Sequence, residues 1–130
     1  MKLRIYRNSL RLRLNRSDVE QFRETGIRTE SLRFGTGAQL TYTLETSSRF
    51  TVMEAQYRQD CIRVLLPLEM AQEWSSSDRI SLFLNCADGD GPSLLIEKDF
   101  QCLHGDETNP EGDEDAFPNP STRAGVIGAT

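Results

Sequence analysis

The chain has one histidine, one tryptophan and three cysteines among its 130 residues, and each scarcity narrows the chemistry open to it. With His104 as the single imidazole, any serine or cysteine mechanism that needs a histidine base depends on that one residue. Cys61, Cys86 and Cys102 are an odd number, and no apolar run of signal-peptide length follows the opening MKLRIYRNSL. A disulfide scaffold is therefore not expected, and a reducing cytoplasm is the expected setting. No window approaches the roughly 18 to 20 consecutive apolar residues that a membrane span requires. The expectation is a soluble chain with no membrane partner, and no motif calls for a cofactor.

What is present suits one domain. At 37% hydrophobic and this length, the chain can bury about two thirds of the surface its unfolded form would expose. The net charge of −5 is unevenly spread. Residues 1–35 hold nine Lys or Arg against four acids, whereas residues 86–120 hold ten acids against the lone Lys98. An acidic chain is repelled by a phosphate backbone unless its basic part forms an isolated patch, which argues against nucleic acid as a partner.

Hydropathy alternates with the period of strands over much of the chain. Leu3 and Ile5 fall on one face of residues 2–6, and Leu10, Leu12 and Leu14 recur with Arg11 and Arg13 between them. The Asn8-Ser9 pair between these runs predicts a hairpin. Ser17 through Glu20 matches a capping box, so a short helix is expected over 17–25, with Val19 and Phe22 on its inner face and Gly26 ending it in the left-handed conformation. Residues 31–34 and 40–44 then alternate across Gly35-Thr36-Gly37 as a second hairpin.

The same order returns 52 residues later. Residues 52–58 form a strand, Gln59-Asp60 a turn, and Ile62, Val64 and Leu66 alternate as Leu10, Leu12 and Leu14 do. Pro67 sits where a first helical residue is tolerated, and Ala71 and Trp74 lie at the same offset from Val19 and Phe22. Ile80, Leu82 and Leu84 follow, then a turn over 87–92, then Leu94 and Ile96. The expected fold class is α+β, a mostly antiparallel β barrel or sandwich of about eight strands from two ββαββ repeats with two short helices. The expected boundaries are a duplicated domain over 1–103, with repeats of about 1–47 and 50–103, and an acidic, Pro-containing tail over 104–130.

Two regions could carry function. If the leucines of the opening hairpin point inward, Arg4, Arg11 and Arg13 point outward from adjacent strands, with Arg63 at the matching place in the second repeat. Guanidinium groups so placed can grip a carboxylate or phosphate through paired hydrogen bonds, although charged residues are also the ordinary occupants of a strand's wet face. The second region runs from the last strand into the tail. Glu97, Asp99, Cys102 and His104 have metal-ligating types, but the two-residue step from Cys102 to His104 is shorter than usual zinc spacing and no second Cys/His pair exists. Asp113, Glu114 and Asp115 lack the ordered loop of a calcium site. Together with Phe117 and Pro118 they instead make an acidic segment with an aromatic anchor, able to dock on the arginine face of its own domain or of a second copy.

Several separated segments carry a family resemblance: Lys-x-Arg-Ile-x-x-Asn-Ser-Leu-Arg-Leu-Arg-Leu over 2–14, Leu40-Thr41-Tyr42, Leu95 to Phe100 with Cys102, and Glu114 to Pro120. On these the chain resembles a family of small uncharacterised bacterial proteins, a domain of unknown function, over most of residues 1–120. The resemblance implies no activity, cofactor or catalytic residue. Residues 121–130 look like an appended or variable end. Glu97, Lys98 and Asp99 also resemble the charged strand of tunnel-type phosphohydrolases, although the strand that opens such chains is acidic and here reads Lys2 to Arg7. The sequence therefore supports a non-catalytic binding or accessory module that contacts a protein partner, a second copy or an anion, with a small metal-assisted hydrolase as the alternative.

Overall fold

The computed structural model describes residues 1–86 and 90–100. Along the chain lie β1 (Lys2–Tyr6), β2 (Ser9–Leu14), α1 (Arg16–Thr25), β3 (Ile27–Arg33), β4 (Gln39–Ser47), β5 (Glu54–Arg58), β6 (Cys61–Pro67), α2 (Leu68–Ser76), β7 (Ser81–Leu84) and β8 (Ser93–Lys98). The class is α+β, and the strands form two four-stranded sheets rather than a closed barrel.

The first sheet has the order β1-β2-β8-β7 and the second β3-β4-β6-β5. Each therefore takes one hairpin from the first half of the chain and one from the second. The four sequential hairpins are antiparallel, as alternation with short turns predicts, but the pairs that join the halves, β2 with β8 and β4 with β6, are parallel. Local periodicity reports which face of a strand is apolar and says nothing of its distant neighbour. The uninterrupted runs Val64-Leu65-Leu66 and Leu94-Leu95-Ile96 belong to β6 and β8, whereas their parallel partners β4 and β2 alternate, so the sequence marks only one member of each pair.

The pairing registers obey the 52-residue shift. Leu3 opposite Leu12 corresponds to Ala55 opposite Val64, and Leu12 opposite Ile96 to Val64 opposite Leu44. In the third strand of each half the shift becomes 54, because Arg28 opposes Leu44 as Leu82 opposes Ile96.

Inward residues of both sheets and of both helices form one core: Leu12, Leu14, Leu82, Leu94 and Ile96 from the first sheet, Leu44, Val64 and Leu66 from the second, and Val19, Phe22, Ala71 and Trp74 from the helices. Leu12 and Val64 are each 1% exposed, which fixes both alternating runs as interior. Phe22 and Trp74 meet edge to face, with centroids 6.3 Å apart and planes at 65°.

The cap of α1 lies two residues before the expected one. Asn15, not Ser17, accepts from the Asp18 amide at 2.9 Å, and Asp18 accepts from the Asn15 amide at 3.0 Å. Both boxes satisfy the spacing rule; the earlier one forms because Asp18 is also held by ion pairs described below. Pro67 ends β6 and acts as the N-cap of α2 rather than its first residue, and the first hairpin turns at Arg7, which has a positive φ of 52°. Gly26 ends α1 as expected at φ 81°, its amide donating to the Phe22 carbonyl. A β-carbon there would meet Thr46 only at 3.8 Å, so space is available and the backbone conformation alone resists substitution. Gly26→Ala is expected to cost about 1–2 kcal/mol, the strain of a left-handed residue with a side chain, read as a lower urea midpoint at unchanged slope.

Candidate functional site: the outer face of the first sheet

Alternation along the strands sends Arg4, Arg11 and Arg13 to the outer face of the first sheet, as the sequence predicts. The register then sets them in rows. Arg4 opposes Arg11, Arg11 opposes Leu95, and Leu95 opposes Phe83, so one row crosses all four strands as Arg4-Arg11-Leu95-Phe83. The next row reads Lys2-Arg13-Glu97-Ser81. Phe83 is 63% exposed on the edge strand β7. Arg63 does not join this patch. It stands on β6 of the second sheet, between β4 and β5 and away from β2 and β8.

The face carries its own acids. Glu97 lies 3.4 Å from the Nε of Arg11 and 3.1 Å from that of Arg13, and Asp99 lies 3.7 Å from Arg13 and 3.3 Å from the Lys2 ammonium. The Arg13 Nε makes no hydrogen bond, so its contact with Glu97 is an ion pair without directional donation. Among the described residues, Lys2, Arg4, Arg11 and Arg13 share this face with Glu97 and Asp99, which hold Lys2, Arg11 and Arg13 in place. The same contacts commit Glu97 and Asp99 to cations. Cys102 and His104 lie outside the described residues, as do Asp113, Glu114, Asp115, Phe117 and Pro118. Among the described residues, no group of three or more His, Cys, Asp or Glu side chains could hold a metal ion.

The second sheet supplies an internal comparison. Its corresponding row reads Gln56-Arg63-Thr43-Thr29. Arg63 answers Arg11 and Glu45 answers Glu97, here in a fork with hydrogen bonds of 3.0 and 2.9 Å. The Thr43 hydroxyl donates to the same carboxylate at 2.7 Å. Hydrogen bonding from Arg63, working against burial, holds the Glu45 carboxyl below its ordinary value. One face thus shows a polar, internally satisfied row, and the other places a second arginine, a leucine and a phenylalanine at the corresponding positions.

Sequence reasoning missed Leu95 and Phe83. The available signal was the apolar residue on the supposedly wet parity of Ser81-Leu82-Phe83-Leu84 and Ser93-Leu94-Leu95-Ile96. A second group was also missed. The Met1 ammonium lies 2.8 Å from Asp18 and 3.2 Å from Glu30; Arg28 reaches Asp18 at 2.8 Å and Glu30 at 2.6 Å; and the Tyr42 hydroxyl donates to the Met1 carbonyl. Asp18 is 5% exposed. Burial alone pushes its carboxyl up, but the Met1 ammonium, the Asn15 amide and Arg28 together outweigh this and hold it below its ordinary value. Burial, aided by the Glu30 carboxylate, raises the Tyr42 hydroxyl. Among the described residues two carboxylates meet two cations, and the cluster ties Met1, just ahead of β1, to α1 and β3.

Among the described residues no helix is long and apolar enough to cross a membrane. No curated protein and no solved structure matches the chain. A family model matches residues 1–121, and on that match the chain belongs to DUF7009, a family of unknown function.

Proposed function

We propose that this protein is a non-catalytic binding module that docks the outer face of its first sheet onto an acidic protein partner. The row Arg4-Arg11-Leu95-Phe83 supports this reading, because the corresponding row of the second sheet, built on the same register, is Gln56-Arg63-Thr43-Thr29. An ordinary wet face needs no exposed phenylalanine beside arginine. Aromatic and arginine side chains are the types enriched at interface anchors. Phe83 and Leu95 are the apolar anchors, and the arginines beside them give the face its basic character, with Arg13 fixed by Glu97 and Asp99 at the rim.

We read the two halves as copies of one ββαββ unit, over about 1–47 and 50–103, whose exchanged hairpins close as a sandwich, with the module working in the cytoplasm. The 52-residue shift shared by the registers of the first, second and fourth strands of each half supports the duplication.

The combined variant Arg4→Gln, Leu95→Thr, Phe83→Thr gives the first sheet the row the second sheet carries. Affinity capture followed by cross-linking is expected to join partner carboxylates to Lys2 in the wild-type chain and to lose that cross-link in the variant, while circular dichroism and melting temperature stay close to wild type. Equal cross-linking by both forms would sink the proposal. A form ending at Leu103 separates the strand face from the acidic tail. Loss of capture in that form alone would move the docking role to Asp113, Glu114, Asp115, Phe117 and Pro118.

A further inference from the structure

The two helices pack against strands that end alike in backbone and differently in side chain. Beside α2, Lys98 closes β8. Its amide donates to the Ile80 carbonyl at 3.0 Å, its ammonium sits 5.3 Å from the centroid of the Trp74 ring, and that ammonium donates to the Ser77 carbonyl at 2.7 Å. Asp78 and Glu73 are the acids whose charge acts on it. Beside α1, the corresponding strand position is Thr46, whose amide donates to the Gly26 carbonyl at 2.9 Å. Phe22 stands there in the place of Trp74.

Thr46 is too short to reach across Phe22 as Lys98 reaches across Trp74. A cleft of about 370 Å³ is left, with Phe22, Leu68 and Ala71 as its apolar lining and Arg23, Thr46, Gln72 and Ser75 among its polar lining. Its electrostatics are reversed as well. The position that answers Glu73 is Gln21, and among the described residues no acid lines the cleft while Arg23 does. Arg23 donates to the Ser75 carbonyl through one nitrogen at 3.3 Å, and a guanidinium has five N–H groups to offer.

We propose that this cleft binds a small organic carboxylate, with Arg23 and the neighbouring hydroxyl and amide groups holding the carboxylate and the exposed Leu68 side chain offering apolar surface to its body. Its volume falls at the lower end of the range for small-molecule sites, roughly 300–1,000 Å³. This site is separate from the docking face, since none of its lining residues belongs to the first sheet.

The test uses the full chain labelled with ¹⁵N and titrated with benzoate, with hexanoate as an aliphatic probe and benzamide as the neutral control. Saturable shifts of the Gly26, Thr46 and Ser75 amides are expected with at least one carboxylate, and binding of benzamide is expected to be about tenfold weaker or less. Arg23→Gln, on an exposed position, is expected to weaken carboxylate binding by about tenfold. Thr46→Lys, which places a side chain over Phe22 as Lys98 lies over Trp74, is expected to abolish it. Absence of shifts with both carboxylates at about 10 mM, well above any functional affinity, would overturn the proposal. So would benzamide binding as well as benzoate, or unaltered binding in Arg23→Gln, which decides the matter alone should Thr46→Lys fail to fold.

Discussion

Replacing Trp74 with alanine is expected to cost about 3–5 kcal/mol, the usual range for deleting a large aromatic from a core. The ring is fully buried, meets Phe22 edge to face, donates through Nε1 to the Ile80 carbonyl at 3.0 Å and lies beneath the Lys98 ammonium. Its removal opens a cavity at the contact between the two helices, leaves the Ile80 carbonyl without that donor and strips Lys98 of its aromatic surface. Domains of this size are stable by about 5–15 kcal/mol in all, so a large share of the total would go. Urea unfolding followed by far-ultraviolet circular dichroism measures this. Trp74→Phe, which keeps an aromatic ring and loses only the indole N–H and some volume, should recover more than half of the loss. A loss below about 1 kcal/mol in the alanine variant would mean that the two helices are not seated on a common core.

The second large effect belongs to Asp18. Asp18→Asn keeps an oxygen able to accept from a backbone amide but removes the charge that faces both the Met1 ammonium and Arg28. Breaking a buried ion pair by removing one partner leaves the other charge without compensation, and about 3–5 kcal/mol is the expected cost. The pH dependence follows in sign. Because the folded state holds this carboxyl below its ordinary value of 3.8, the stabilisation is fully present above that value and fades as pH falls through the lower, folded one. Wild-type stability should therefore drop on acidification, and the difference between wild type and Asp18→Asn should narrow over the same interval. Chemical denaturation at a series of pH values below 5 shows whether it does. A constant difference would assign the effect of Asp18 to its capping hydrogen bonds alone.

Both effects concern groups that the sequence announces unequally. Trp74 was legible as core because it repeats the position of Phe22 at the shift that relates Ile62 to Leu10, and a buried aromatic on a short amphipathic helix needs no knowledge of its neighbours. Sequence alone places Asp18 directly after a cap at Ser17. Nothing local distinguishes that box from the one three-residue step anchored at Asn15. The choice is made by Arg28 and Met1, brought in by strands on either side.

The arginine face shows the same division. Outward placement of Arg4, Arg11 and Arg13 follows from alternation with leucines that must be buried, and it holds. That Arg63 lies on the other sheet depends on the parallel pairing of β6 with β4, and which acids meet the other three depends on a parallel pairing between segments about 85 residues apart in the chain, Arg11 opposite Leu95 being one such pair. The apolar anchors Leu95 and Phe83 become a row only through that pairing.

Period, turn chemistry and the repeated spacing were thus enough to determine two short helices, eight strands and their buried faces, because each of these is an interaction between residues a few positions apart. Sheet membership, the parallel central pairs, the ionic cluster at Asp18 and the cleft beside Thr46 were decided by the tertiary structure. They arise from contacts between distant segments, where an alternating strand has the same local preference for every partner that offers it an apolar face.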